Sequence, residues 1–277
     1  MSSRRADALP RPAALGARAS AAVVVGLVAG LAAFLWPLFV SSSSVVAPAQ
    51  APLLFALVLP LVLAVMMSEL AGGRLDVKAL AVLGVLAAVG SILRPLSAGT
   101  AGLELVFFLM ILGGRVFGPG FGFALGALTM FSSALLTSGV GPWLPHQMLA
   151  AGFVGLFAGW LPAAKGKAEL AMLAGYGMVS AFVYGWLMDF AFWPFLLGGQ
   201  TGLSFDPAAG VLENLHRFVL YNLATSMGWN LGRAATNAAL VVLVGTPLLR
   251  LLRRTARRAG FADPAGDGIL APNGQLG

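Results

Sequence analysis

The stretch from Leu103 to Gly159 reads LELVFFLMILGGRVFGPGFGFALGALTMFSSALLTSGVGPWLPHQMLAAGFVGLFAG. It holds three apolar segments joined by Gly- and Pro-rich hinges, and Glu104 and Arg115 are its only fixed charges. Gly118, Gly122 and Gly126 recur every four residues and so share one helix face, and Gly155 and Gly159 repeat that spacing in the next segment. Such rows of small residues let helix backbones approach closely in lipid, where van der Waals packing drives association. The turn from Gly139 to Gln147 adds backbone freedom, two prolines, an indole and two polar heads. This pattern predicts a membrane-embedded core with a polar, aromatic mouth.

Composition agrees with that class. Apolar residues make up 59% of the 277 and charged ones 10%, against roughly 45–50% and about 25% in soluble domains. The net charge of +7 comes from short basic clusters between apolar runs, a topology signal rather than a nucleic-acid stripe. The chain has no cysteine, which excludes disulfides, thiol catalysis and Cys-based metal sites.

Working outward, a spanning helix needs about 20 mostly apolar residues. That rule gives candidate spans near 19–40, 52–69, 79–94, 104–114, 118–138, 146–162, 170–196 and 222–250. The expectation is therefore an all-α integral membrane protein of about eight spans, with both termini on one side. With that side cytoplasmic, Arg4, Arg5, Arg11, Arg18, Arg74, Lys78, Arg115, Lys165, Lys167, Arg250, Arg253, Arg254, Arg257 and Arg258 face inward, 14 of the 17 Lys and Arg residues. Arg94, Arg217 and Arg233 remain outside, as the positive-inside rule requires. The expected organisation is a basic N-terminus (1–18), an N-terminal transmembrane hairpin (19–77), a membrane core (78–255) and a basic, then disordered tail (256–277). The connector 41–51 is polar, and the longer loop 197–215 reads equally as a lid or a passive link.

Most catalytic readings fail on inventory. The single Gly-Lys, Gly166-Lys167, lacks the glycine spacing and the hydroxyl residue of a phosphate-binding loop. HExxH is absent, and Gly118–Gly122 is better explained by helix packing than by dinucleotide binding. Ser132, Ser133 and His146 leave an intramembrane hydrolase as an alternative, without a GxSxG motif. A structural subunit with no ligand pocket is the third reading.

Polar residues at membrane depth are costly and generally face a cavity or a partner. On the outer side these are Arg94, Glu104, Trp143, His146, Gln147 and Asp189, followed by Asn222, Asn230, Arg233 and Asn237 in the last span. Asn230, Arg233 and Asn237 share one helix face by their spacing, and Arg233 lies too deep for snorkelling. Each has a blander reading: Arg94 with Glu104 as a structural ion pair, Trp143, Trp186 and Trp193 as belt indoles, His146 and His216 as loop or interface residues. Together they describe an outward-open pocket suited to a polar small molecule.

The run from Leu93 to Pro162, above all FGPGFGFALGA (Phe117–Ala127) and GPWLPHQMLAAG (Gly141–Gly152), resembles the membrane substrate-binding (S) subunit of energy-coupling factor vitamin transporters. The likeness extends through LENLHRFVLYNLATSMGWNLGRA (Leu212–Ala234) to about residue 255. It implies a six-helix substrate-binding core in a bacterial plasma membrane, here preceded by an extra hairpin. It also implies capture of a vitamin from outside, no catalysis and no cofactor of its own, and partnership with a transmembrane (T) subunit and two ABC-type ATPases. The pattern is similar to subunits for cobalamin or a related corrinoid, with thiamine-precursor, biotin-like, pyridoxine-like and folate-like ligands open as alternatives. The family's first core helix presents small residues to the T subunit, and the matching positions are Gly84, Ala87, Ala88 and Ser91.

Overall fold

The computed structural model describes residues 17–38, 60, 64, 77–97, 102–196 and 201–258. The connector 41–51, nearly all of the expected second span, Arg4, Arg5, Arg11 and Arg74, the hairpin–core boundary before Val77 and the tail beyond Arg258 lie outside these residues. Eight helices are present among them: α1 (Ala17–Phe34), α2 (Val77–Ser97), α3 (Phe107–Phe117), α4 (Pro119–Leu136), α5 (Leu144–Trp160), α6 (Gly166–Leu196), α7 (Val211–Thr225) and α8 (Met227–Arg258). The protein is an all-α, multi-pass membrane protein.

The span count differs from expectation. Among the described residues four helices are long and apolar enough to cross a membrane: α2, α4, most of α6, and α8. The eight expected spans are not present among the described residues. Helix α3 shows why the apolar scan overcounts. Its 11 residues rise about 16 Å, half of the roughly 30 Å of hydrocarbon, and all but Val116 are buried. α5 is a 17-residue helix buried along most of its length. These segments are apolar all round because other helices surround them, not because lipid does. The last expected span is also cut at Ser226, so Asn222 closes α7 while Asn230, Arg233 and Asn237 ride on α8.

The glycine rows form the central seam. A Cβ on Gly122 would collide with the backbone oxygen of Gly155, and one on Gly155 with that of Gly122. Gly126 meets Ala151, Gly114 meets Gly155 and Gly159 meets Pro119 in the same backbone-to-backbone manner. Helices α3, α4 and α5 thus pack at a separation that only missing side chains permit. Gly118, at φ 100°, joins α3 to α4 in a conformation reserved for glycine, and Pro119 then starts α4 where its missing N–H costs nothing.

Pairings fix the helix directions. Arg94 near the end of α2 meets Ser133 late in α4 and Gln147 early in α5. Arg115 near the end of α3 meets Leu161 after α5 and Glu169 early in α6. Helices α2, α4 and α6 therefore run toward one end and α3, α5 and α8 back toward the other. At that second end Glu169, 2% exposed, accepts Arg115 Nε at 2.8 Å and Arg253 Nη2 at 2.6 Å, tying α3, α6 and α8 together. Helix α1 packs beside α5 and α6, where His146 of α5 meets Phe34 of α1 and Phe192 of α6 through ring edges.

Candidate functional site

Two chambers open at the first end. One, of about 330 Å³, lies among α6, α7 and α8 and is lined by Asp189, Tyr221, Ser226 and Asn230. The other, of about 290 Å³, lies toward α2 and α5 and is lined by Arg94, Ser97, Glu104 and Gln147. Tyr184, Met188, Trp229 and Arg233 line both and form the partition between them.

Arg233 is the centre of that partition. It is 7% exposed. Its Nη2 and Nε donate to Glu104 Oε1 at 2.6 and 3.0 Å, and its Nη1 donates to Asn230 Oδ1 at 3.0 Å and to the Ala181 carbonyl at 3.3 Å. The guanidinium also lies against the rings of Tyr184 and Phe107, 5.1 and 5.8 Å from their centroids. Gly185 makes the arrangement possible: a Cβ there would strike Asn230 Oδ1 and reach Arg233 Nη1 at 2.9 Å. Asn230 continues the network to Asn222 at 3.5 Å, and Asn222 Nδ2 donates to Asp189 Oδ2 at 2.6 Å.

The Arg94–Glu104 ion pair, the blander of the two readings of these residues, is not formed. Glu104 is taken by Arg233, and Arg94 instead donates to Gln147 Oε1 at 3.0 Å and to Ser133 Oγ at 3.4 Å. Because Arg233 and Glu104 neutralise each other, the chambers are left with one net group each. Among the described residues neither Arg94, which lines the second chamber, nor Asp189, which lines the first, is in an ion pair. A cation and a carboxyl group thus face the two chambers on either side of a neutral partition.

The remaining expected residues are placed elsewhere. Asn237 is fully buried and donates to the Gly177 carbonyl at 3.1 Å, fastening α8 to α6 away from both chambers. His146 is fully buried between Phe34 and Phe192. Trp143 is 45% exposed on the α4–α5 loop. Trp193 is buried, and its indole donates to the Leu203 carbonyl at 2.7 Å, in an aromatic cluster with Phe190, Phe218 and Tyr221. That contact, with Asn214 bracketing Asp206, holds the loop after α6. No residue of 201–210 lines either chamber. On α2, Ala87 and Ser91 are buried, with Ser91 Oγ donating to the Thr129 carbonyl of α4 at 3.2 Å, whereas Gly84 and Ala88 are exposed.

Tyr184, Gly185, Met188 and Trp229 are among the lining residues that sequence reasoning missed, as are Thr225 and Ser226. Trp229 carried a usable signal, since it stands four before Arg233 and so shares its face. Tyr184 and Gly185 sit in a long apolar run and gave none.

No protein-family model, curated protein or solved structure matches this chain.

Proposed function

We propose that the protein captures a polar small molecule, a vitamin by its resemblance to energy-coupling factor S subunits, as the non-catalytic substrate-binding part of an importer. A T subunit and two ABC-type ATPases would supply transport, the ATPases by hydrolysing ATP. The observation that carries the reading is the pair of chambers about one partition, Arg94 facing one and Asp189 the other. It suits a ligand with an acidic or acceptor group at one end and a basic or donor group at the other. Chambers of this size hold a compact ligand of the kind that such pockets enclose. A corrinoid, several times larger than either chamber, would leave most of its ring outside, so a smaller dipolar vitamin is the better fit.

Equilibrium binding of a panel of vitamins to the purified protein, after native mass spectrometry of what co-purifies, tests this. A bound vitamin is expected, with Arg94→Gln and Asp189→Asn each weakening it about 10- to 100-fold, the range for one lost hydrogen bond to a charged group. Wild-type affinity in both variants would sink the assignment of the chambers.

A further inference from the structure

A third cavity is of a different kind. Between α5 and α6 a crevice of about 430 Å³ is lined almost wholly by carbon. Its walls run from Ala150 to Trp160 on α5 and from Tyr176 to Leu187 on α6. At 1.5 Å per residue each wall is about 15–16 Å long, half of the roughly 30 Å hydrocarbon core and hence the depth of one leaflet. Phe157, Val179 and Val183 line it and are 41%, 63% and 51% exposed, so it opens sideways, away from the helix bundle. The hydroxyls of Tyr176 and Ser180 are bonded to the Val154 and Gly177 carbonyls, which leaves the crevice dry.

Shape and charge select the occupant. Spread over that length, the volume gives a cross-section of about 27 Å², enough for one hydrocarbon chain and far too narrow for a helix about 10–12 Å across. At one end stand Trp160, Leu161 and Pro162, with Trp160 45% exposed, as suits an indole at headgroup depth. Just beyond, Lys165 and Lys167 are exposed and in no ion pair among the described residues. Two unpaired ammonium groups, in the loop that follows Pro162 and in the first turn of α6, match a phosphate attached to a chain.

We propose that the α5–α6 crevice seats one acyl chain of an anionic phospholipid, from the leaflet bordering Lys165 and Lys167, with its phosphate between those two lysines. The site rests on α5, α6 and the loop between them alone, independently of what the chambers bind.

The test is native mass spectrometry of the full chain released from nanodiscs of equal parts phosphatidylglycerol and phosphatidylcholine. Wild-type protein is expected to retain phosphatidylglycerol about 5- to 30-fold over phosphatidylcholine, one or two lysine contacts' worth. Lys165→Gln with Lys167→Gln should bring that ratio to about one, and both substitutions are on exposed side chains that the fold does not need. Val183→Trp, which fills the crevice, should remove both lipids; if it does not fold, Val179→Trp makes the same test nearer the lysines. Equal retention of the two lipids by wild type, or undiminished phosphatidylglycerol in the filled variant, overturns the proposal. So does a wild-type dimer that the filled variant turns into monomer, because the crevice would then belong to a second copy.

Discussion

The protein buries an arginine at each end, and the two are used differently. Arg115 and Arg233 are 8% and 7% exposed, and each is bonded to a glutamate. Arg115 shares Glu169 with Arg253 and also donates to the Leu161 carbonyl, in a place that neither chamber touches. Arg233 instead walls both chambers and Glu104 one of them, with amides and aromatic faces completing the shell. A buried ion pair is therefore no pointer to a site by itself. What distinguishes the second is open volume beside it and two further groups, Arg94 and Asp189, that are in no ion pair among the described residues.

The largest effect is expected at the sealed end. Glu169→Ala leaves two arginines with no counter-charge, one of them buried, and breaking a buried pair by removing one partner costs about 3–5 kcal/mol. Thermal denaturation in detergent should show a large loss of stability or no folded protein. A variant that melts like wild type would mean that the three helices are held without this staple, and the contrast between the ends would collapse.

The glycine seam was legible in the sequence, because a four-residue spacing is a geometric fact about a helix and Gly122 and Gly155 needed only each other's backbone. The face of Asn230, Arg233 and Asn237 was legible for the same reason. Pairing across the fold was not. Glu104 lies 129 residues from Arg233, and Arg94, ten residues from Glu104, was the nearer partner on paper. Burial by protein and burial by lipid also look alike in a hydropathy scan, which is why α3 read as a span. Arg115 read as a loop charge and proved to be a helix staple, since nothing local announces Glu169.

A middle-sized effect separates packing from recognition at the chamber end. Gly185→Ala pushes a methyl group into Asn230 and against Arg233, an overpacking of about 1–3 kcal/mol. Because the displaced atoms line the chambers, ligand affinity should fall by about tenfold or more along with the melting temperature. Gly175→Ala, on the same helix with nothing within 4 Å of the added carbon, should leave binding unchanged and stabilise slightly through helix propensity. Equal behaviour of the two variants in binding would show that the partition is not part of the recognition surface.

The smallest effect concerns where the chamber end stops. Trp143 lies on the α4–α5 loop, 45% exposed, with its indole N–H on the Gly139 carbonyl at 3.3 Å and its ring over Gly141. Its contacts are local and it lines neither chamber. Trp143→Ala should therefore change stability by no more than about 0.5 kcal/mol, as surface substitutions do, and leave affinity within about twofold of wild type. A tenfold loss would bring the loop into the site, because an indole can reach a ligand protruding from a chamber without lining it in the empty protein. In that case the bound molecule extends past Gln147 toward the loop and is larger than the chambers, which would return the corrinoid to consideration. Unchanged affinity confines the ligand to the space between Arg94 and Asp189, and with it the size of vitamin that the protein selects.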